Sequence, residues 1–288
     1  SNLELDFWSG EGGDRYTCRN VPSRTEIAQR TVALARVLDR IPAMPSSVLE
    51  VGAGPGANLE ALAALLDGVA FYAVEPNALA RERLESLRKA GAVPGLEVYD
   101  GHAGAIPSAD DTFALVMHAG VAIHISPDRL RDCMIEMARV SKRYVLAIEY
   151  FAPTCEPVRY YGADRIWRND FGLLYCALGL LPIAHGFFWK PKDGYDNTVW
   201  WLMEKPVGWS TPSFAASAPS SAASSGDTGA TGAPTGGTPD GAVEGLAVHD
   251  LVSHHVSRLP ASAHGHSRGV AVALSTLVSP AVAMRAGA

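Results

Sequence analysis

Apolar residues change their spacing repeatedly along the first 205 positions. Over 24–40, Ile27, Val32, Leu34, Ala35 and Leu38 recur at helical intervals, which predicts a helix. VLEV at 48–51 reads as a short buried strand that runs into a glycine turn. Helical spacing resumes at 57–66, followed by a strand at 69–74 and a helix at 78–90. Strands at 96–99 and 112–117, a helix from Pro127 to Val140 and a strand at 144–149 complete the alternation. Pro127 suits a first helical turn, where its missing N–H is no loss. Apolar strands alternating with helices predict an α/β fold, a mostly parallel sheet covered on both faces. Residues 181–189 and 197–204 read differently. Both are strands, the link KPKDGYDN carries an Asp-Gly turn signal, and no helix is expected between them. The sheet is therefore expected to have seven strands and to finish in an antiparallel hairpin.

Composition divides the chain. No aromatic residue follows Phe214, and 210–242 consist almost wholly of Ser, Ala, Gly, Thr and Pro. Such a segment cannot bury enough apolar surface to offset chain entropy. The expected organisation is one domain at 1–205, a linker at 206–242 and a tail at 243–288. The net charge of −6, without a basic run, argues against a nucleic-acid partner. Cys18, Cys133, Cys155 and Cys176 are scattered, which fits neither a disulfide framework nor a zinc site and suggests a reducing cytoplasm. SNLELDFWSG at the start does not have signal-peptide character, and no apolar run would span a bilayer.

Candidate chemistry begins at LEVGAGPGAN, 49–58. Glycines let the backbone approach a ligand and adopt angles other residues avoid. The spacing is ambiguous. Gly52, Gly54 and Ala57 satisfy a dinucleotide-binding pattern, while Gly52, Gly54 and Gly56 satisfy that of adenosylmethionine binders. Two acids accompany the turn. Glu50 lies inside the preceding strand, where a carboxylate needs a partner, and Glu75 ends the next strand, where it can accept from both ribose hydroxyls. With the terminal hairpin they favour adenosylmethionine over a nicotinamide dinucleotide, the runner-up within this fold.

YDGHAGAIPSADDTFALVMHAG, 99–120, is similar to a stretch common in methyltransferases of the Rossmann-like class I. DFWSGEGGDRYTCRN (6–20), GVAIHISPDRL (120–130), IEYFAP (148–153) and YYGADRIWRNDFG (160–172) resemble the pseudaminic acid biosynthesis-associated methylases. That resemblance covers about 5–205 and none of the tail; Gly12 and Tyr161 depart from it. It implies an S-adenosyl-L-methionine cofactor, with Glu50 towards its methionine end, His102 and Ala103 at its adenine, and further contacts from Tyr16, Arg19, Asn58, Pro76 and His118.

Ligands of open α/β sheets bind at the carboxyl ends of the strands. His124, Glu149 and Tyr150 should therefore face the glycine turn, with His124 as base and Glu149 orienting it or binding substrate. Trp8, Tyr16, Arg19 and Asn20 suggest a lid, with Arg19 on the methionine carboxylate. Tyr160, Tyr161, Arg165 and Arg168 are candidate substrate contacts, the arginines, with Asp170, placed on a helix before the hairpin. The expected function is methylation of a small, sugar-like or otherwise polar biosynthetic intermediate. A second reading takes 243–260 as a leader-like helix and 269–284 as a core-like peptide, so that the enzyme methylates its own tail. A third is a non-catalytic cofactor-binding protein. Expected partners are a small molecule or that C-terminal peptide, with a homodimer also possible. The tail histidines, His254, His255, His264 and His266, lack the set needed for a metal, and none is expected.

Overall fold

A computed structural model of the chain describes residues 3–211. The greater part of the linker and the whole tail, with its expected helix, apolar peptide and histidines, lie outside the described residues.

The chain opens with two short helices, α1 (Leu3–Ser9) and α2 (Glu11–Arg19). α3 (Arg24–Leu38) follows, started by a reciprocal cap in which Ser23 and Glu26 each accept the other's backbone N–H. Then come β1 (Ser47–Val51), α4 (Ala57–Ala63), β2 (Ala70–Glu75), α5 (Ala78–Lys89), β3 (Glu97–Asp100) and β4 (Phe113–Ala119). A single 3-10 turn at Ala122–His124 leads into α6 (Pro127–Val140) and β5 (Ser141–Glu149). β6 (Glu156–Tyr160), β7 (Ala163–Arg168), α7 (Phe171–Ala177), β8 (Leu181–Phe188), α8 (Lys190–Asp193) and β9 (Thr198–Glu204) complete the described chain.

The main sheet has seven strands in the order β3-β2-β1-β4-β5-β9-β8. The first five run parallel, and β9 is antiparallel to both β5 and β8. The alternation of side chains along the strands divides the core into two layers. Val48, Leu115, Met117, Leu146 and Leu202 face α3 and α4, while Leu49, Val116, Val145, Ala147 and Met203 face α6 and α7. This is the expected doubly wound, Rossmann-like sheet with a terminal antiparallel hairpin.

Some local expectations need correction. A one-turn helix, α8, does fit between the last two strands; Gly194, in the left-handed region at φ 70°, closes it and Asp193 accepts the Trp189 N–H at 2.8 Å. Arg165 and Arg168 are not helical. They lie on β7, which pairs with β6 in a separate two-stranded sheet, and Asp170 caps α7 by accepting from Leu173 N. α4 stops at Ala63, where the chain tightens and Leu65 N bonds to Leu62 O. Trp209, beyond the expected domain edge, donates to the Leu178 carbonyl at 2.8 Å and packs beneath the Lys205 ammonium.

Candidate active site

The carboxyl ends of β1, β2 and β4 open into a cleft of about 350 Å³. Its floor is the glycine turn. Gly52, Gly54 and Gly56 all have positive φ, at 66°, 52° and 89°. The first two differ in their surroundings. A Cβ on Gly52 would meet Val121 Cγ2 at 2.5 Å, so this glycine allows the β4 loop to pack on the turn. A Cβ on Gly54 would meet nothing within 4 Å; it would stand in the cleft.

Glu50 lines the cleft but is itself buried. Its Oε1 accepts from Asn58 Nδ2 at 2.6 Å, and its Oε2 has no hydrogen-bond partner. Burial pushes its carboxyl up to about 8, against the smaller opposing effects of the Asn58 bond and the Arg30 charge. Asn58 is held in turn. Its Oδ1 accepts from Arg30 Nη1 and from the Tyr195 hydroxyl, each at 2.8 Å, and Arg30 lies over the Tyr195 ring. Glu75 is fixed by backbone donors: Gly54 N to one oxygen and Asn77 N to the other, both at 2.8 Å. Burial still holds this carboxyl above its ordinary range. Pro76, His102 and Ala103 also line the cleft, and the His102 ring accepts from Gly104 N at 3.1 Å.

His124 ends the 3-10 turn and lines the cleft. Its Nδ1 lies 2.8 Å from the Arg165 carbonyl oxygen, so Nδ1 carries the proton it donates. Nε2 is then the unprotonated nitrogen of the neutral ring. Burial keeps the imidazole below its usual range, so the neutral form predominates at pH 7. Trp8 of α1 packs on the ring at 4.5 Å between centroids, and Tyr160 of β6 lies at 5.8 Å.

Other expected contacts are placed elsewhere. His118 is sealed in the core, its Nδ1 2.7 Å from Glu149 Oε1 and its Nε2 3.0 Å from the Tyr175 hydroxyl; it does not line the cleft. Strand alternation explains this, since the next residue of β4, Ala119, takes the cleft side. Glu149 is equally buried and reaches backbone N–H groups rather than the cleft. Tyr150 donates to Asp196 Oδ2 at 2.7 Å, outside the cleft lining.

Tyr16 and Arg19, on α2, line the cleft together with Trp8 and Asn20. Arg19 hydrogen-bonds the Tyr161 hydroxyl, joining the N-terminal helices to the β6–β7 hairpin. Arg165 stacks over Phe7 of α1 and donates to the carbonyls of Tyr160 and Tyr161, while Arg168 pairs with Glu156 at 3.0 Å. The substrate candidates Tyr160, Tyr161, Arg165 and Arg168 are thus not part of the cleft lining; Tyr160 and Tyr161 reach it only through His124 and Arg19.

Sequence reading passed over Arg30, Tyr195 and Asn77. Asn77 could be recognised as a helix cap, and it accepts from Ala80 N at 2.9 Å. Its second role could not: Nδ2 donates to Asp14 Oδ1 at 2.8 Å and Oδ1 receives Thr17, which ties α2 to the cleft beside Glu75. Among the described residues, no group of three His, Cys, Asp or Glu is arranged to hold a metal ion. No described helix is long and apolar enough to cross a membrane.

Residues 48–143 match the family model of the methyltransferase domain. A comparison with curated proteins found no match. Among solved structures, the chain is similar to the 1,6-didemethyltoxoflavin-N1-methyltransferase of Burkholderia thailandensis, which has 1,6-didemethyltoxoflavin and S-adenosylhomocysteine bound. The two share 16% identity over 70% of this chain and 87% of that one, with a TM-score of 0.53. Magnesium protoporphyrin IX methyltransferase from Synechocystis PCC 6803, with bound SAH, gives 13% identity over 71% and 99%, with a TM-score of 0.53. A SAM-dependent methyltransferase from Aquifex aeolicus gives 19% over 66% and 97%, with a TM-score of 0.51. The fold is that of the class I methyltransferases.

Proposed function

We propose that this chain is an S-adenosylmethionine-dependent methyltransferase acting on a small, polar, sugar-like acceptor. The observation that carries the cofactor reading is Glu50, a buried carboxylate that lines the cleft with one oxygen unpaired. A buried polar oxygen left without a partner is costly, and the ammonium of a bound amino-acid moiety would relieve it by pairing with the ionised carboxylate. Glu75 supports the same ligand. Each of its oxygens uses one backbone N–H and keeps capacity for a ribose hydroxyl. Glu50, Gly52, Gly54 and Glu75 line one cleft, which supports a ligand that carries both an aminoacyl group and a nucleoside.

When bound, the cofactor supplies a methyl group on a sulfonium, transferred by in-line displacement. The protein orients the partners and excludes water. His124 takes the proton released from an acceptor hydroxyl or ammonium at Nε2, while Nδ1 stays anchored on the Arg165 carbonyl. Trp8 and Tyr16, packed edge to face in the cleft lining, give the acceptor aromatic surface. Asn20 and Ser126, also in the lining, give it polar partners. The sugar-like class rests on the resemblance of the segments at 6–20, 120–130 and 160–172 to the pseudaminic acid-associated methylases. Those segments carry Trp8, His124 and Tyr160.

Calorimetry with adenosylmethionine, adenosylhomocysteine and NAD tests the cofactor. We expect the first two to bind the full-length protein and NAD not to. Binding of NAD without either of the others would overturn the reading. Radiolabelled methyl transfer to a panel of amino- and hydroxy-sugars tests the acceptor class.

A further inference from the structure

Glu149 ends β5 and is fully buried, outside the cleft lining. Its oxygens nevertheless collect donors from one short stretch. Val121 N and Ala122 N reach Oε1 at 3.0 and 2.9 Å, and Ile123 N lies 3.4 Å from Oε2. His118 Nδ1 adds a further donor to Oε1 at 2.7 Å. The Tyr175 hydroxyl lies 3.0 Å from His118 Nε2, so the three buried groups form a line: Tyr175 donates to His118, and His118 donates to Glu149. That direction fixes His118 as the Nδ1–H tautomer.

The three N–H groups belong to the turn that ends at His124. A single 3-10 turn leaves its leading N–H groups without partners of its own, so something outside must satisfy them. The same residues build the cleft. Gly120 and Val121 line it, and the Val121 side chain packs on Gly52. Among the described residues the side-chain acceptor of these N–H groups is Glu149, so the shape of the turn depends on its carboxylate.

We infer that Glu149 is a positioning residue: it holds the Gly120–His124 turn, and through it both the wall beside the glycine turn and the ring of His124. It touches neither cofactor nor acceptor. This deepens the methyltransferase reading and rests on it for its functional consequence. The geometric part stands on the turn alone.

The test uses the full chain and its E149A and E149Q variants, with two readouts. Long-range nitrogen–proton NMR reports the tautomer of His124, assigned by the signals lost in H124Q. Calorimetry reports adenosylhomocysteine affinity. In the unaltered protein His124 should be a single Nδ1–H tautomer. In E149A we expect a mixture of tautomers and an affinity at least tenfold lower. E149Q retains an acceptor oxygen for the three donors that meet at Oε1, so it should fall between the two, with an affinity about threefold lower. A folded E149A with an unchanged tautomer and less than a twofold change in affinity overturns the inference. If E149A does not fold, unchanged readouts in E149Q overturn it. Failure of the unaltered protein to bind adenosylhomocysteine would overturn the functional reading instead, and the tautomer would still decide the positioning role.

Discussion

Replacing Glu50 by Gln should make the cofactor-free protein more stable at alkaline pH while weakening ligand binding. The Glu50 carboxyl ordinarily titrates at 4.5, and burial pushes it to about 8 in the folded chain. Between those values the folded state holds a proton that the unfolded state has released. Stability therefore falls as pH rises from about 4.5 to about 8, and levels off above. The gap corresponds to about 5 kcal/mol once the group is ionised in both states, an upper bound because relaxation and water reduce it. About 2.5 kcal/mol of that falls between pH 6 and 8.5. Gln keeps the shape and the oxygen that accepts from Asn58, but does not ionise. Urea unfolding of both proteins at the two pH values isolates the effect, since other titrating groups are common to both. The advantage of E50Q should grow by about 2.5 kcal/mol at the higher pH, a midpoint change of about 1 M for a domain of this size. An advantage equal at both pH values would show that Glu50 does not titrate in this window, and the argument from its burial would fail. The same proton links to ligand binding. An ammonium on Glu50 favours the ionised carboxylate, so affinity for adenosylhomocysteine should rise with pH from 6 to 7.5, and E50Q should lose that rise.

Further outcomes follow from the geometry. Gly54→Ala should cost only about 1 kcal/mol of stability, from its positive φ, yet remove most ligand affinity because its methyl stands in the cleft; Gly52→Ala should be markedly less stable because its methyl meets Val121. Thermal melts with calorimetry separate the two. His124→Ala should bind adenosylhomocysteine normally and lower methyl transfer about 10²–10⁴-fold; unaltered transfer would remove it as the base. The acid limb of the rate profile should lie below the ordinary histidine range, because burial lowers this imidazole. Asn77→Ala should cost about 1–3 kcal/mol by removing the α5 cap and stranding the Ala80 N–H and the Thr17 hydroxyl. It should also speed proteolysis of the N-terminal helices; an unchanged cleavage rate would separate those helices from Asn77.

The order of strands and helices was legible because each buried element carries its own period. Val48 and Leu49, or Val116 and Met117, alternate between two layers that only a sheet covered on both faces provides. The glycine turn and its two acids were legible for a similar reason: backbone strain and strand ends are local properties. Residues 190–193 and 156–168 were not. Their conformations depend on partners far along the chain, such as Arg30 at the Gly194 carbonyl and Phe7 beneath Arg165.

The residues around the chemistry divide in the same way. Sequence alone placed Glu50, Gly52, Gly54, Glu75 and His124 at the ends of strands, where a ligand would meet them. It could not tell which side of β4 and β5 His118 and Glu149 occupy, because both faces of those strands are apolar and the pattern carries no register. Only packing decided that. With both faces covered by helices, His118 and Glu149 fall on the sealed side, where their polar atoms must find partners within the protein. Glu149 found them in the N–H groups of the turn before His124, and a residue read as chemistry became the support of the residue beside it.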